Sequence, residues 1–256
     1  MIEASVNLGR DFARALDPTL LARDCGIEPD PWQANLLTSE SKRVLLLCSR
    51  QAGKSTTTAL IAAHEAIFHP PAMIVLVAPS MPQSVELFKR VHGFWGKLPG
   101  APKAVQSTLT RMELENGSRI VSLPGSERTV RGYSGASLIL MDEAARVPDE
   151  LVAAVRPMLA TVEHGRFFAL TTPAGKRGFF YEQWIRGENW ERIKVTADEC
   201  PRIKPEFLAA ERETLGPLVY EQEYQCVFHD AETSAFASEL IEAALVDDFE
   251  PFLRAA

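Results

Sequence analysis

The order of apolar segments predicts an α/β fold: a mostly parallel sheet with helices on both faces. Three observations carry this. The runs RVLLLC at 43–48, AMIVLVA at 72–78, SLILM at 137–141 and RFFAL at 166–170 are short and continuously apolar, the pattern of strands buried on both faces. Helical stretches separate them, and strands alternating with helices need crossover connections. The chain has 256 residues, 46% hydrophobic and 24% charged, the make-up of an ordinary globular protein long enough for one large domain or two small ones.

The elements follow in order. Residues 1–30 read as short helices ending at the break Pro29-Asp30-Pro31. A helix over 32–37 follows, with Asp30 placed to cap it. The first buried strand, 43–48, runs through a Gly-containing loop into a helix at 55–68. The second strand, 72–78, leads to a helix over about 83–94. Residues 109–114 and 119–123 flank Glu115-Asn116-Gly117-Ser118; Asn-Gly between alternating apolar residues is a hairpin signal. The third buried strand, 137–141, ends in Asp142-Glu143, and a helix over 148–160 comes next. The fourth, 166–170, ends in Thr171-Thr172-Pro173. A helix over 179–186, a strand over 190–195 and helices over 205–215 and 217–225 complete the body. In such sheets ligands bind at the carboxyl ends of the strands, and the motifs below all lie there.

Several functional classes are disfavoured. Cys25, Cys48, Cys200 and Cys226 are scattered and none forms a C-x-x-C pair, so neither a zinc site nor a disulfide framework is expected; a reducing cytosol fits. The first residues lack a basic leader followed by an apolar run, and no apolar stretch approaches the ~20 residues of a membrane span. A net charge of −7 argues against an all-basic surface but leaves room for a local basic patch. The five histidines show no ligand spacing, and Trp95, Trp184 and Trp190 read as core or interface residues.

The chemistry concentrates at Cys48-Ser49-Arg50-Gln51-Ala52-Gly53-Lys54-Ser55. A buried strand precedes it and a helix follows, the context a P-loop requires. Backbone N–H groups of Ser49, Gln51, Ala52, Gly53 and the helix start through Thr56 can ring phosphates. Gly53 lets the backbone approach closely, Lys54 reaches the β- and γ-phosphates, and the Ser55 hydroxyl serves Mg²⁺. The usual first Gly is Cys48 here, so by strict pattern the motif fails; a chance Gly-Lys-Ser is the alternative. LILM ending in Asp142 has the Walker B form, its Asp helping to hold Mg²⁺, and Glu143 is placed to polarise the attacking water. The alternative is a strand end with two solvated acids. Arg50 inside the loop and Arg131, eleven residues before Asp142, are candidates for the cation that stabilises the transferring phosphoryl group; Arg131 also reads as an ordinary loop arginine. Trp32-Gln33 could stack on and hydrogen-bond adenine, or be a core Trp with a polar neighbour. Thr171-Thr172 could touch the γ-phosphate or water, or supply turn chemistry before Pro173.

Together and in this order these residues resemble the tailed-phage terminase large subunit. Its ATPase is a RecA-like P-loop NTPase of the class with an additional catalytic glutamate (ASCE). Its phosphate loop commonly lacks the first Gly and reads Arg-Gln-x-Gly-Lys-Ser/Thr, as Arg50 to Ser55 do. The resemblance implies that Trp32-Gln33 is an adenine-recognising Q motif and that Pro79-Ser80 follows its second motif. Asp142-Glu143 would be the Walker B Asp and catalytic Glu, and Thr171-Thr172-Pro173 the coupling motif. It further implies that Arg131 acts in trans on a neighbouring subunit's ATP. The implied organisation is an N-terminal helical extension over 1–30, an ATPase domain over 31–230 and a tail over 231–256. The tail resembles a linker to a nuclease, and no nuclease activity is expected of these residues; Asp247-Asp248 read as a solvated pair. The implied function is ATP hydrolysis with Mg²⁺ that drives double-stranded DNA into a procapsid, in a homo-oligomeric ring working with portal and small terminase subunit in the cytoplasm of the bacterial host. A lone monomer in solution is equally compatible with the sequence. Two alternatives stand beside it: a helicase-like ATPase acting on another nucleic acid, for which a second RecA-like lobe has no room, and a non-catalytic prophage remnant that binds nucleotide or packaging partners.

Overall fold

A computed structural model describes residues 8–98, 100–124 and 132–230. Among these, eight strands form one sheet in the order β3-β4-β5-β2-β6-β7-β1-β8. They are β1 (Arg43–Cys48), β2 (Met73–Ala78), β3 (Ala104–Ser107), β4 (Arg111–Leu114), β5 (Arg119–Pro124), β6 (Leu138–Asp142), β7 (Arg166–Thr171) and β8 (Glu191–Val195). From β5 to β8 every neighbouring pair is parallel; β4 runs antiparallel to both β5 and β3. The fold is a mostly parallel α/β sheet with a core on each face.

The described helices are α1 (Leu8–Leu16), α2 (Pro18–Asp24), α3 (Pro31–Thr38), α4 (Lys54–Phe68), α5 (Met81–Trp95), α6 (Asp149–Val155), α7 (Gly178–Arg186), α8 (Pro205–Leu215) and α9 (Pro217–Tyr224). Alternate residues of β1 divide between two cores. Val44, Leu46 and Cys48 pack with α3 and α4 through Leu36, Ala59, Leu60 and Ala63. Leu45 and Leu47 pack on the other face with Leu151, Val152 and Val155 of α6 and Phe180 of α7. Each such fully buried Leu or Val contributes roughly 1.5–3 kcal/mol of hydrophobic burial, which is why these strands read as unbroken apolar runs. Leu21 and Ala22 of α2 and the following Cys25 belong to the α4 side of the core, so the core continues across position 30. None of the described helices is long and apolar enough to cross a membrane.

Two elements differ from the sequence reading. The helix expected over 148–160 is α-helical only to Val155 and continues as a 3-10 turn over Arg156–Leu159. Pro157 lacks the N–H that an α-helix would use there and restricts the residue before it. β3 was not expected at all. It is exposed throughout and pairs only with β4, across an irregular register, so it carries no apolar pattern. The hairpin stands as read: β4 and β5 pair across the turn at Asn116-Gly117, where Gly117 has φ +84°.

Candidate nucleotide site

β6, β7 and β1 lie side by side, with Asp142 beside Leu170 and Thr171 beside Leu47. Their carboxyl ends therefore bring the acidic pair, the threonine pair and the Gly-containing loop together. The loop and the start of α4, residues 49–56, line a cavity of about 420 Å³ with Arg90, Glu143, Thr172 and Arg202. A larger groove of about 780 Å³ is lined by residues such as Arg146, Asp149, Arg177 and Gln222 and includes no residue of the phosphate loop.

The loop is anchored at its beginning and open at its end. The N–H of Ser49 donates to Val195 O and that of Arg50 to Glu223 O. From Gln51 to Ser55, no backbone N–H donates to any group among the described residues. Unpaired N–H groups at a helix N-terminus form an anion site. Gln51 and Gly53 have positive φ, +60° and +100°, which curls the backbone around the cavity. Glycine at 53 suits this φ, and a Cβ there would stand 2.9 Å from Arg202 Nη2 and Gln33 Nε2, side-chain ends that would have to shift.

Lys54 is buried, and its Nζ lies 2.5 Å from Glu143 Oε1 and 3.8 Å from Asp142 Oδ1. Burial alone would lower its pKa; the two carboxylates outweigh it and raise the pKa, so the ammonium stays charged. The Asp142 pKa is also raised, above that of an ordinary carboxylate. Burial raises its pKa and the Glu143 charge adds to this, against the pull of Lys54. Ser55 Oγ donates to Asp142 Oδ2 at 3.2 Å. This hydroxyl and carboxylate are hard oxygen donors that fit Mg²⁺. Among the described residues no three His, Cys, Asp or Glu side chains gather as a metal site, so a cation here would complete its shell with substrate and water.

Glu143 holds left-handed backbone, φ 51° and ψ 41°, uncommon for a non-glycine residue and a feature that concentrates at functional sites. Its second oxygen accepts from Arg146 Nη1 at 2.8 Å. Thr172 lines the cavity and its hydroxyl also accepts from Arg146, at 3.0 Å. Thr171 does not line the cavity, contrary to expectation. It is fully buried, and its hydroxyl accepts from the Ala145 N–H and donates to Thr172 O, so it shapes the turn after β6.

The Trp32-Gln33 pair separates. Trp32 packs in the core with Leu36 and Leu21 and is absent from the cavity wall; the core alternative, not base stacking, describes its ring. Gln33 is also buried and absent from the cavity wall, but it lies beside Gly53: Oε1 accepts from Asp30 N–H and Nε2 donates to Thr57 Oγ1 in the first turn of α4, both at 2.9 Å. Arg50 lines the cavity while its guanidinium pairs with Glu223 at 3.1 Å. Arg131 and Asp247-Asp248 lie outside the described residues. Cys48, in place of the usual Gly, is buried at the end of β1, and burial pushes its thiol pKa up, so it acts as a small core residue.

Sequence reasoning missed three arginines. Arg202 donates to Ala52 O at 2.7 Å and pairs with Asp30 at 2.8 Å, bracing the loop against α3. Arg90 projects from α5 into the cavity wall. Arg146 was legible only as a basic residue three positions after Glu143. Nothing local marks the other two, because chain crossovers bring them in.

Residues 45–243 match the family described as terminase large subunit, T4likevirus-type, N-terminal. The chain is 29% identical over 181 residues to the terminase large subunit of Thermus virus P23-45, covering 63% of this chain and 37% of that protein. It is 26% identical over 184 residues to a probable terminase large subunit of Enterobacteria phage P7, covering 64% and 37%. The matched region thus spans just over a third of these relatives. Among solved structures, the large terminase ATPase domain of Thermus phage P74-26 superimposes with a TM-score of 0.66 at 22% identity, covering 81% of this chain and 96% of that one. The large terminase of another thermophilic bacteriophage, in complex with ADP, gives 0.66 at 12% identity, covering 78% and 53%.

Proposed function

The chain belongs to the terminase large-subunit family, and from that premise we propose that it hydrolyses ATP to drive double-stranded DNA into a procapsid. The observation that carries the chemistry is the row of unspent N–H groups from Gln51 to Ser55, set beside Lys54, Ser55, Asp142 and Glu143.

We propose the following roles, that of Arg131 from the resemblance alone. The N–H row and the dipole of α4 bind the triphosphate. Lys54 exchanges its Glu143 partner for phosphate oxygens. Ser55 and Asp142 would hold Mg²⁺, which would neutralise phosphate charge when bound. Glu143, released from Lys54, orients and polarises the attacking water. Thr172 senses the γ-phosphate through its hydroxyl, and Gln33 contributes to adenine recognition from its position against the loop. Arg131, or Arg50 within the loop, stabilises the transferring phosphoryl group. We assign the ATPase domain to residues 31–230, with α2 of the N-terminal extension packed against its core. Portal and small terminase subunit as partners, a packaging ring and the host cytoplasm belong to the same proposal.

The test is phosphate release by the purified chain, with and without duplex DNA. Turnover stimulated by duplex DNA and lost in both Lys54→Ala and Glu143→Gln is expected. Absence of turnover under all conditions would favour a nucleotide-binding remnant. Stimulation by single strands or RNA alone would favour a helicase-like ATPase.

A further inference from the structure

Arg146 bonds to two groups at once. Its Nη1 donates to Glu143 Oε2 at 2.8 Å and to Thr172 Oγ1 at 3.0 Å. The other carboxylate oxygen of Glu143 takes Lys54 at 2.5 Å, so each oxygen faces one cation. The turn carrying these residues is pinned twice: the Arg146 N–H closes on Glu143 O at 2.8 Å, and the Ala145 N–H donates to Thr171 Oγ1 at 3.2 Å.

We propose that Arg146 is a positioning residue for hydrolysis, the tether that keeps Glu143 in register with Thr172 once phosphate has taken Lys54. The inference rests on the reading of Glu143 as the group that polarises water. Triphosphate oxygens compete with Glu143 for the Lys54 ammonium. A carboxylate that lost this partner with no other would be free to rotate on its stem. Arg146 remains, its rigid planar guanidinium holding Nη1 between the two acceptors. An exposed ion pair three residues apart would by itself signify little. The bond to Thr172 sets this one apart: the threonine is buried, and it sits at the end of a different strand. One nitrogen thus joins the strand-end hydroxyl to the glutamate, and displacement of either is felt by the other.

The experiment measures single-turnover hydrolysis, together with the affinity for a fluorescent ATP analogue, in Arg146→Ala, Arg146→Lys, Glu143→Gln and the double variant Glu143→Gln/Arg146→Ala. In Arg146→Ala the rate is expected to fall about ten- to a hundredfold, as for a misplaced reacting group, with affinity kept within about twofold. Arg146→Lys keeps the charge but not the fork and should recover part of the rate. If Arg146 acts through Glu143, adding Arg146→Ala to Glu143→Gln should cost nothing more. A wild-type rate in Arg146→Ala overturns the proposal, as does a full additional loss in the double variant, or equal loss of rate and affinity. A wild-type rate in Glu143→Gln overturns instead the reading of Glu143, and the tether with it.

Discussion

The Lys54 ammonium and the Glu143 carboxylate meet at 2.5 Å across the mouth of the phosphate loop. Two groups assigned to different motifs therefore neutralise each other, with Asp142 3.8 Å from the same nitrogen. Lys54→Ala should abolish turnover, and it should also leave two carboxylates facing each other. Breaking a buried pair from one side costs roughly 3–5 kcal/mol. The sign with pH is fixed by Asp142. Its folded pKa is already above the ordinary value, so the folded state binds the extra proton and stability falls as pH rises through that titration. Removing Lys54 moves the titration further up. Urea denaturation should find the variant much weaker than wild type at pH 8 and closer to it at pH 5. An equal deficit at both would show that the carboxylates do not depend on Lys54.

Gly53→Ala should be costlier than a left-handed backbone alone explains. At Gly26, φ is +78° and a Cβ meets nothing within 4 Å, whereas at Gly53 it meets Arg202 Nη2 and Gln33 Nε2 at 2.9 Å. Gly26→Ala should therefore cost about 1–2 kcal/mol, the ordinary penalty of that conformation. Gly53→Ala should exceed it and also weaken nucleotide binding, since the displaced groups brace the loop. Trimming Arg202 to Ala in the Gly53→Ala background should return part of the loss. Matching melts for the two glycine variants would refute the close approach.

The fold was largely legible because its information is local. Buried strands such as Val44–Cys48 are apolar on both faces and need no alternation, and Asn116-Gly117 marks its own turn. The phosphate loop and Asp142-Glu143 were legible as motifs for the same reason: strand, turn and helix start are consecutive. What escaped depends on distant packing. Exposed β3 has no apolar signature, Arg202 reaches Ala52 from 150 residues away in sequence, and Trp32 reads identically as a stacking or a core residue until its neighbours are known. Thr171 and Thr172 are indistinguishable in sequence, yet strand alternation turns one hydroxyl inward and the other toward the cavity.

His64 makes stability depend on mild acid. Burial pulls its pKa down to about 4, only partly offset by the bond from its ring to Arg14 O at 3.0 Å. The unfolded chain protonates near pH 6.5. Between these values the unfolded state holds the extra proton, so stability is full above 6.5 and is lost as pH falls toward 4. A shift of this size corresponds to roughly 3 kcal/mol. The slope of unfolding free energy against pH in that window should be shallower in His64→Gln than in wild type. An unchanged slope would mean that His64 titrates alike in both states.

The choice between Arg50 and Arg131 decides whether one chain holds a complete site. Arg50 lines the cavity, but its guanidinium is engaged by Glu223 on α9, so acting on phosphate would mean giving up that partner. Arg131 lies outside the described residues, and its role is proposed from the resemblance alone. If it acts in trans, turnover should rise with protein concentration. Mixing Arg131→Ala with Glu143→Gln, each inactive alone, should then restore activity: the first supplies an intact site, the second an intact arginine. A finger contributes roughly 10³–10⁵ in rate, so even a fraction of correctly mixed neighbours should stand above background. Phosphate release that is proportional to chain at all concentrations, with no rescue in the mixture, would place the function on Arg50. In that case Arg50→Ala should be inactive, while Glu223→Ala, which frees the guanidinium, should remain active.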